Sequence, residues 1–203
     1  MLCKNIHFIW INRAGKPLPE KYCGFIQKWR DLYPEFEVKL WGNDSVAGLK
    51  DEAVLEAWAS SDYDEANVTN RMRLLIVNLF GGIYADVDTE PIKRMVEVIQ
   101  DSDKLVIGAT QTIRAGLPTV DTNLFYSPPD NPVLVSTLAS IPRCSGSYGV
   151  NRYFVEKHRS NITICPVEYF QGCRVTPKTY SLHWPHRLGS WMLTKHAPST
   201  RTP

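Results

Sequence analysis

Asp86 and Asp88 stand one residue apart where an apolar run, Leu74-Leu75-Ile76-Val77-Asn78-Leu79-Phe80, passes through Gly81-Gly82 into Ile83-Tyr84-Ala85. The pattern predicts a helix, a glycine break and a short buried strand that ends in acid. In an extended strand the side chains at i and i+2 point to one face, so both carboxylates reach one hard divalent cation, Mn²⁺ or Mg²⁺. Such ions rarely receive a full protein cage and keep positions for water and substrate phosphates, which makes a nucleotide diphosphate the natural remaining ligand. An isolated D-x-D also fits two solvated turn acids; here the helix and glycine pair in front of it favour the metal. Tyr84 alternates with the two acids, so the same periodicity puts all three on one face, where the phenol either meets the ligand or packs.

The elements that must hold this pair follow from periodicity. Ile6 to Ile11 is a continuous apolar run suited to a central strand covered on both faces, in a mainly parallel sheet. Trp10 falls at its carboxyl end, where open α/β sheets receive ligands, although a core tryptophan has the same signature. Pro17 and Pro19 open a helix with Tyr22, Phe25, Ile26 and Trp29 at helical spacing, which stops before Pro34. Phe36 to Trp41 alternates apolar with charged residues as a second strand. A short helix over Asp51 to Ser60 and a longer one over Glu65 to Phe80 lead to the strand at Ile83, and another strand covers Leu105 to Ala109. Strands interleaved with helices define an α/β sandwich. Beyond Gly116 the pattern loosens into proline-rich connections, with an apolar strand at Leu124-Phe125-Tyr126 and helices near Val133 to Ile141 and Val150 to His158. Asp121-Thr122-Asn123 reads first as turn chemistry.

A chain of 203 residues is enough for one well-buried domain, expected over 1–196, with Ala197 to Pro203 as a linker-like tail leading towards a further domain. Net charge is only +2 and the basic residues are scattered, which argues against nucleic-acid or membrane-surface partners. Five cysteines, odd in number and without a C-x-x-C pair, predict reduced, packed thiols rather than a zinc site. No apolar stretch has the length of a membrane span or the form of a secretory leader, so the expected compartment is cytoplasmic, the host cytoplasm for a viral protein, and the expected state is a monomer.

Thr69-Asn70-Arg71-Met72-Arg73 followed by Leu79-Phe80-Gly81-Gly82-Ile83-Tyr84-Ala85-Asp86-Val87-Asp88 resembles the S-D-x-x-R and G-G-x-Y-x-D-x-D elements of the DXD sugar-nucleotide glycosyltransferases. That family includes yeast-type initiating mannosyltransferases, capsular sugar transferases and the glucosylating domain of large clostridial toxins; the chain also resembles glycosyltransferase modules of chlorella viruses. Ile6 to Ile11 is similar to the family's first strand, and His183-Trp184 with Gly189-Ser190-Trp191 to its closing H-W...S-W element. The resemblance implies a GT-A type fold, a Rossmann-like sandwich whose mixed, mainly parallel central sheet is flanked by helices. It implies a metal-dependent transfer of a hexose or deoxyhexose from a nucleotide diphosphate sugar, UDP-linked, to a hydroxyl of a glycan or glycoprotein acceptor, with retention of configuration.

Carried over residue by residue, the resemblance implies that Asp86, Asp88 and His183 hold the metal, with His186 the rival to His183. It makes Arg73 a donor contact, Trp10 the aromatic that stacks on uracil with Ile9 beside it, and Tyr84 a nucleotide contact. Ser190 and Trp191 become a loop closing over the diphosphate. Asn70 stands where the family has Asp, so the carboxylate that reads sugar hydroxyls there is replaced by an amide, and a different hydroxyl pattern is expected. Asn123 falls on a strand that in the family lies near donor sugar and acceptor. Two other classes use similar residues. A phosphoryl-transfer enzyme would need further carboxylates and a basic groove, neither visible in the sequence; a non-catalytic sugar-nucleotide-binding module needs only the donor contacts.

Overall fold

Asn5-Ile6-His7-Phe8-Ile9 forms the first strand, β1, and the structure, a computed structural model, describes residues 1–60, 62–114, 117–140, 157–170 and 175–184. After β1 come α1 (Glu20–Leu32), β2 (Glu37–Trp41), α2 (Asn43–Gly48), α3 (Glu52–Ala59), α4 (Glu65–Phe80), β3 (Gly82–Ala85) and β4 (Thr89–Pro91). Then follow β5 (Leu105–Arg114), β6 (Leu117–Ser127), α5 (Pro132–Ser140), β7 (Ile162–Cys165), α6 (Val167–Phe170) and β8 (Ser181–His183). β1 ends at Ile9, two residues earlier than the apolar run, because Trp10 and Ile11 turn out of the ladder after Trp10 N–H reaches Trp41 O at 2.9 Å.

Six strands form one sheet in the order β2-β1-β3-β6-β5-β7, and a second sheet pairs β4 with β8. β1 runs parallel to β2 and β3, β5 runs parallel to β7, and β6 runs against both of its neighbours. The central sheet is therefore mixed and mainly parallel. Alternate residues of β1 serve opposite faces: Ile6 and Phe8 pack with Tyr22, Phe25, Ile26 and Trp29 of α1, while Ile9 packs with Val68, Met72 and Ile76 of α4 and Leu134 of α5. Burial on both faces is what the unbroken apolar run required.

Helix α4 begins and ends where its sequence says. The Asp64 carboxylate caps Asn67 N–H at 2.9 Å, and Gly81, at φ +62°, terminates the helix. A Cβ on Gly82 would lie 2.5 Å from Asn5 O, so the second glycine lets β3 lie against β1.

Several regions differ from the sequence reading. The proline-rich stretch after Gly116 is the long strand β6, which pairs with β5 through register shifts at Ile107/Gly108 and Ala109/Ile113. α2, β4, β7, α6 and β8 have no counterpart in the sequence reading. Of the thiols, Cys165 is buried and Cys3 half-buried but Cys23 is exposed, and all three are free; Cys144 and Cys173 lie outside the described residues, as does most of the helix expected over Val150 to His158.

Candidate functional site

Because β1 and β3 are parallel, their carboxyl ends lie at one edge of the sheet, and antiparallel β6 brings Asp121-Thr122-Asn123 to that edge from the other direction. β3 stops at Ala85. Asp86 N–H donates to Asn123 O at 2.7 Å, and Thr89 N–H closes a turn on Asp86 O at 2.9 Å. Asp86 and Asp88 thus belong to a turn rather than to an extended strand. Their carboxylates converge because the chain reverses around Val87, whose side chain is buried, and not through strand alternation.

Three groups fix Asp86. Tyr84 donates its hydroxyl to Oδ1 at 2.6 Å, Arg73 Nη1 lies 3.1 Å from Oδ1, and His183 Nε2 lies 3.7 Å from Oδ2. Arg73 is buried, donates to Thr122 O at 3.0 Å and lies with its guanidinium 4.9 Å from the Tyr84 ring centre. Burial is the largest single influence and works against that charge, yet Asp86, Tyr84 and Asp121 together outweigh it and hold the guanidinium above its usual value. Burial raises the Asp86 carboxyl above the usual carboxylate range, against the pull of Arg73, His183 and the Tyr84 hydroxyl. A carboxylate in that state gains from a cation beside it.

Asp88 faces the second sheet. β4 and β8 pair with Thr89 opposite His183, which sets His183 Nε2 3.2 Å from Asp88 Oδ1. Burial lowers the imidazole pKa, but the hydrogen bond and charge of Asp88, with Asp86 behind it, prevail and raise it. One ligand atom from each of Asp86, Asp88 and His183 lies within 4.8 Å of the others. Two carboxylates and an imidazole suit a divalent cation; the oxygens fit Mg²⁺ or Mn²⁺, and the nitrogen favours Mn²⁺.

The other expected residues take different positions. Trp10 is half-buried just past the end of β1, its indole N–H donating to Lys16 O at 3.0 Å. Ile9 is 4 % exposed and belongs to the core. Tyr84 has no exposed surface; its ring packs near Phe125 and its hydroxyl serves Asp86. Asn70 lies half-buried on α4, three residues before Arg73 and so on the same helical face. His186, Ser190 and Trp191 lie outside the described residues.

Sequence reasoning gave Asp121-Thr122-Asn123 too little weight. Asp121 is close enough for its charge to raise both Arg73 and His183, while Thr122 and Asn123 lend their carbonyls to Arg73 and Asp86. The only local signal was the Asx-type spacing. Glu90 and Trp184, joined at 3.1 Å, carried no signal beyond the His-Trp dipeptide.

Residues 19–106 match the family described as "Glycosyltransferase sugar-binding region containing DXD motif", a span that holds Asn70, Arg73, Tyr84, Asp86 and Asp88. With its mixed, mainly parallel sheet, the chain has a GT-A type fold, and the family match covers somewhat less than half of it. Among curated relatives it is similar to inositol phosphoceramide mannosyltransferase 3 of Schizosaccharomyces pombe, 26 % identical over 149 residues, or 71 % of this chain and 38 % of that protein. Among solved structures it is similar to the PaToxG glycosyltransferase, with a TM-score of 0.53, 18 % identity and coverage of 68 % of this chain and 59 % of that one. A glycosyltransferase involved in the glycosylation of the major capsid of PBCV-1 gives a TM-score of 0.52 at 8 % identity, covering 88 % of this chain and 92 % of that one. The chain spans well under two thirds of the mannosyltransferase and somewhat under two thirds of PaToxG. No helix among the described residues is long and apolar enough to cross a membrane.

Proposed function

We propose that this chain is a metal-dependent glycosyltransferase, moving a hexose or deoxyhexose from a UDP-sugar to a hydroxyl of a glycan or glycoprotein with retention of configuration. The observation that carries the reading is the convergence of Asp86, Asp88 and His183 at the carboxyl edge of the sheet. Asp86, Asp88 and His183 would hold Mn²⁺, which when bound would supply Lewis-acid stabilisation to the charge developing on a leaving diphosphate. Arg73 favours the ionised form of Asp86 and orients it, and its Nε, buried without a partner among the described residues, is a donor that a ligand oxygen would satisfy. Asn70, on the same face of α4, reads sugar hydroxyls with an amide. Trp10 offers its half-buried indole to the base.

The testing experiment incubates the protein with UDP-sugars and GDP-sugars, with and without Mn²⁺ and without acceptor. A transferase releases nucleotide slowly to water when Mn²⁺ is present, and the sugar that supports fastest release names the donor. Binding without release indicates the non-catalytic module, and no stabilisation by any sugar nucleotide with Mn²⁺ overturns both readings.

A further inference from the structure

We infer that Trp184 is a positioning residue of the metal site, a staple that holds the His183-bearing strand against the turn carrying Asp88. The inference rests on the metal reading above. It begins with the poverty of the ladder that joins the two ligands: β4 and β8 are three residues each, and Pro91 removes a donor from one of them. Two-stranded pairings of that length are marginal by themselves. Their far end is anchored by Ile92 N–H and Lys93 N–H, which both donate to Tyr180 O, at 2.8 and 3.1 Å. The end next to the metal ligands has Trp184.

Trp184 makes three contacts there. Its backbone N–H donates to Asp88 O at 3.0 Å, extending the ladder by one residue past His183. Its indole N–H donates to Glu90 Oε2 at 3.1 Å, and the other oxygen of that carboxylate takes the Lys28 ammonium of α1 at 2.5 Å. The Lys21 ammonium, also on α1, lies 5.0 Å from the indole ring centre, within cation–π range. Trp184 therefore ties β8, the Asp88 turn, β4 and α1 together at the residue beside His183. A side chain that fixes a ligand-bearing backbone controls metal affinity without touching the ion.

The test is Mn²⁺ binding to the metal-free full chain, followed by calorimetry or by the loss of the free-ion paramagnetic resonance signal, with no nucleotide present. Trp184→Phe keeps the ring and loses the N–H donor, and Glu90→Ala loses the acceptor; each is expected to weaken Mn²⁺ about tenfold. Because both break one link, the double variant should be no weaker than either single one. Glu90→Gln retains an acceptor oxygen and should bind close to wild type. UMP affinity measured without metal should be unchanged throughout, which a general loss of folding would not allow. Wild-type Mn²⁺ affinity in a folded Trp184→Phe, or additive losses in the double variant, overturns the inference. A wild-type chain that binds no Mn²⁺ instead overturns the metal reading on which it rests.

Discussion

Arg73 and Asp86 form a buried pair across the gap between α4 and the end of β3, with Nη1 3.1 Å from Oδ1 and only 9 % of the arginine side chain exposed. The pair fastens the metal-binding turn to the middle of a helix rather than to another loop. Removing the arginine leaves a mostly buried Asp86 with His183 as its remaining positive partner, so Arg73→Ala is expected to cost stability at the low end of the roughly 3–5 kcal/mol of a broken buried pair. Arg73→Lys, which cannot reach both Asp86 and Thr122 O with one planar group, should fall between the two. Urea unfolding measures both, and an unchanged midpoint in Arg73→Ala would show that the pair contributes nothing to the fold.

Asp88 is the more expendable acid for the fold. It makes no ion pair with Arg73, and its contacts are to His183 and, through its carbonyl, to Trp184. Asp88→Asn is therefore expected to keep its thermal midpoint while losing Mn²⁺-dependent release of sugar from the donor. Full turnover with Mn²⁺ in this variant would remove Asp88 from the metal site.

The sequence makes some of this legible and hides the rest for physical reasons. α4 was readable from its apolar spacing and the glycine pair after Phe80, and the structure adds Asp64 as its cap. The first half of β6 was not readable, since Pro118, Asp121 and Asn123 disfavour strands and that part exists through its pairing with β5 and β3; only Leu124-Phe125-Tyr126 stood out. The acids were found, but strand alternation was the wrong reason for their convergence: a turn places them, and no short-range pattern distinguished it. The approach of His183 to Asp88 depends on a ladder between segments about ninety residues apart, which only the His-Trp resemblance hinted at.

Trp10 offers a different separation, between base and metal. Its indole N–H is already engaged by Lys16 O, so its remaining contribution to a ligand is the ring face. Trp10→Ala should weaken UDP binding by about 1–3 kcal/mol, the usual worth of a base on an aromatic platform, with Mn²⁺ affinity unchanged. Calorimetry on the folded variant decides; equal UDP affinity would return Trp10 to a packing role.

His183→Ala should raise the Mn²⁺ concentration needed for half-maximal donor release more than it raises the donor requirement at saturating Mn²⁺. Two carboxylates still bind the ion, with water in the vacated position, so the defect is one that excess metal repairs. The same titration on His186→Ala provides the comparison. Should His186→Ala alone show the shift, the nitrogen ligand is His186; should neither show it, the imidazole position belongs to water or phosphate.

His7 gives the fold a pH dependence separate from the site. It is 3 % exposed between β2 and β3; Trp41 N–H donates to its Nδ1 at 3.3 Å, and its Nε2 meets Gly81 O at 2.9 Å. That pair of partners fits a neutral ring with the proton on Nε2. Burial pushes its pKa below the ordinary value of 6.5, and protonating Nδ1 would set two donors against each other. In the unfolded chain the imidazole takes its proton near the ordinary value, and in the folded chain only at lower pH. Between those values the unfolded state binds more protons, so this stabilisation is full above the ordinary value and is lost as pH falls towards the folded one. Wild type should therefore lose urea resistance between about pH 8 and about pH 5 faster than His7→Gln, which has no proton to take up there. The variant is expected to be weaker at high pH, where it gives up part of the Trp41 contact, and the readout is the slope. Parallel slopes for the two proteins would mean that His7 titrates normally and that its burial has no proton-linked cost.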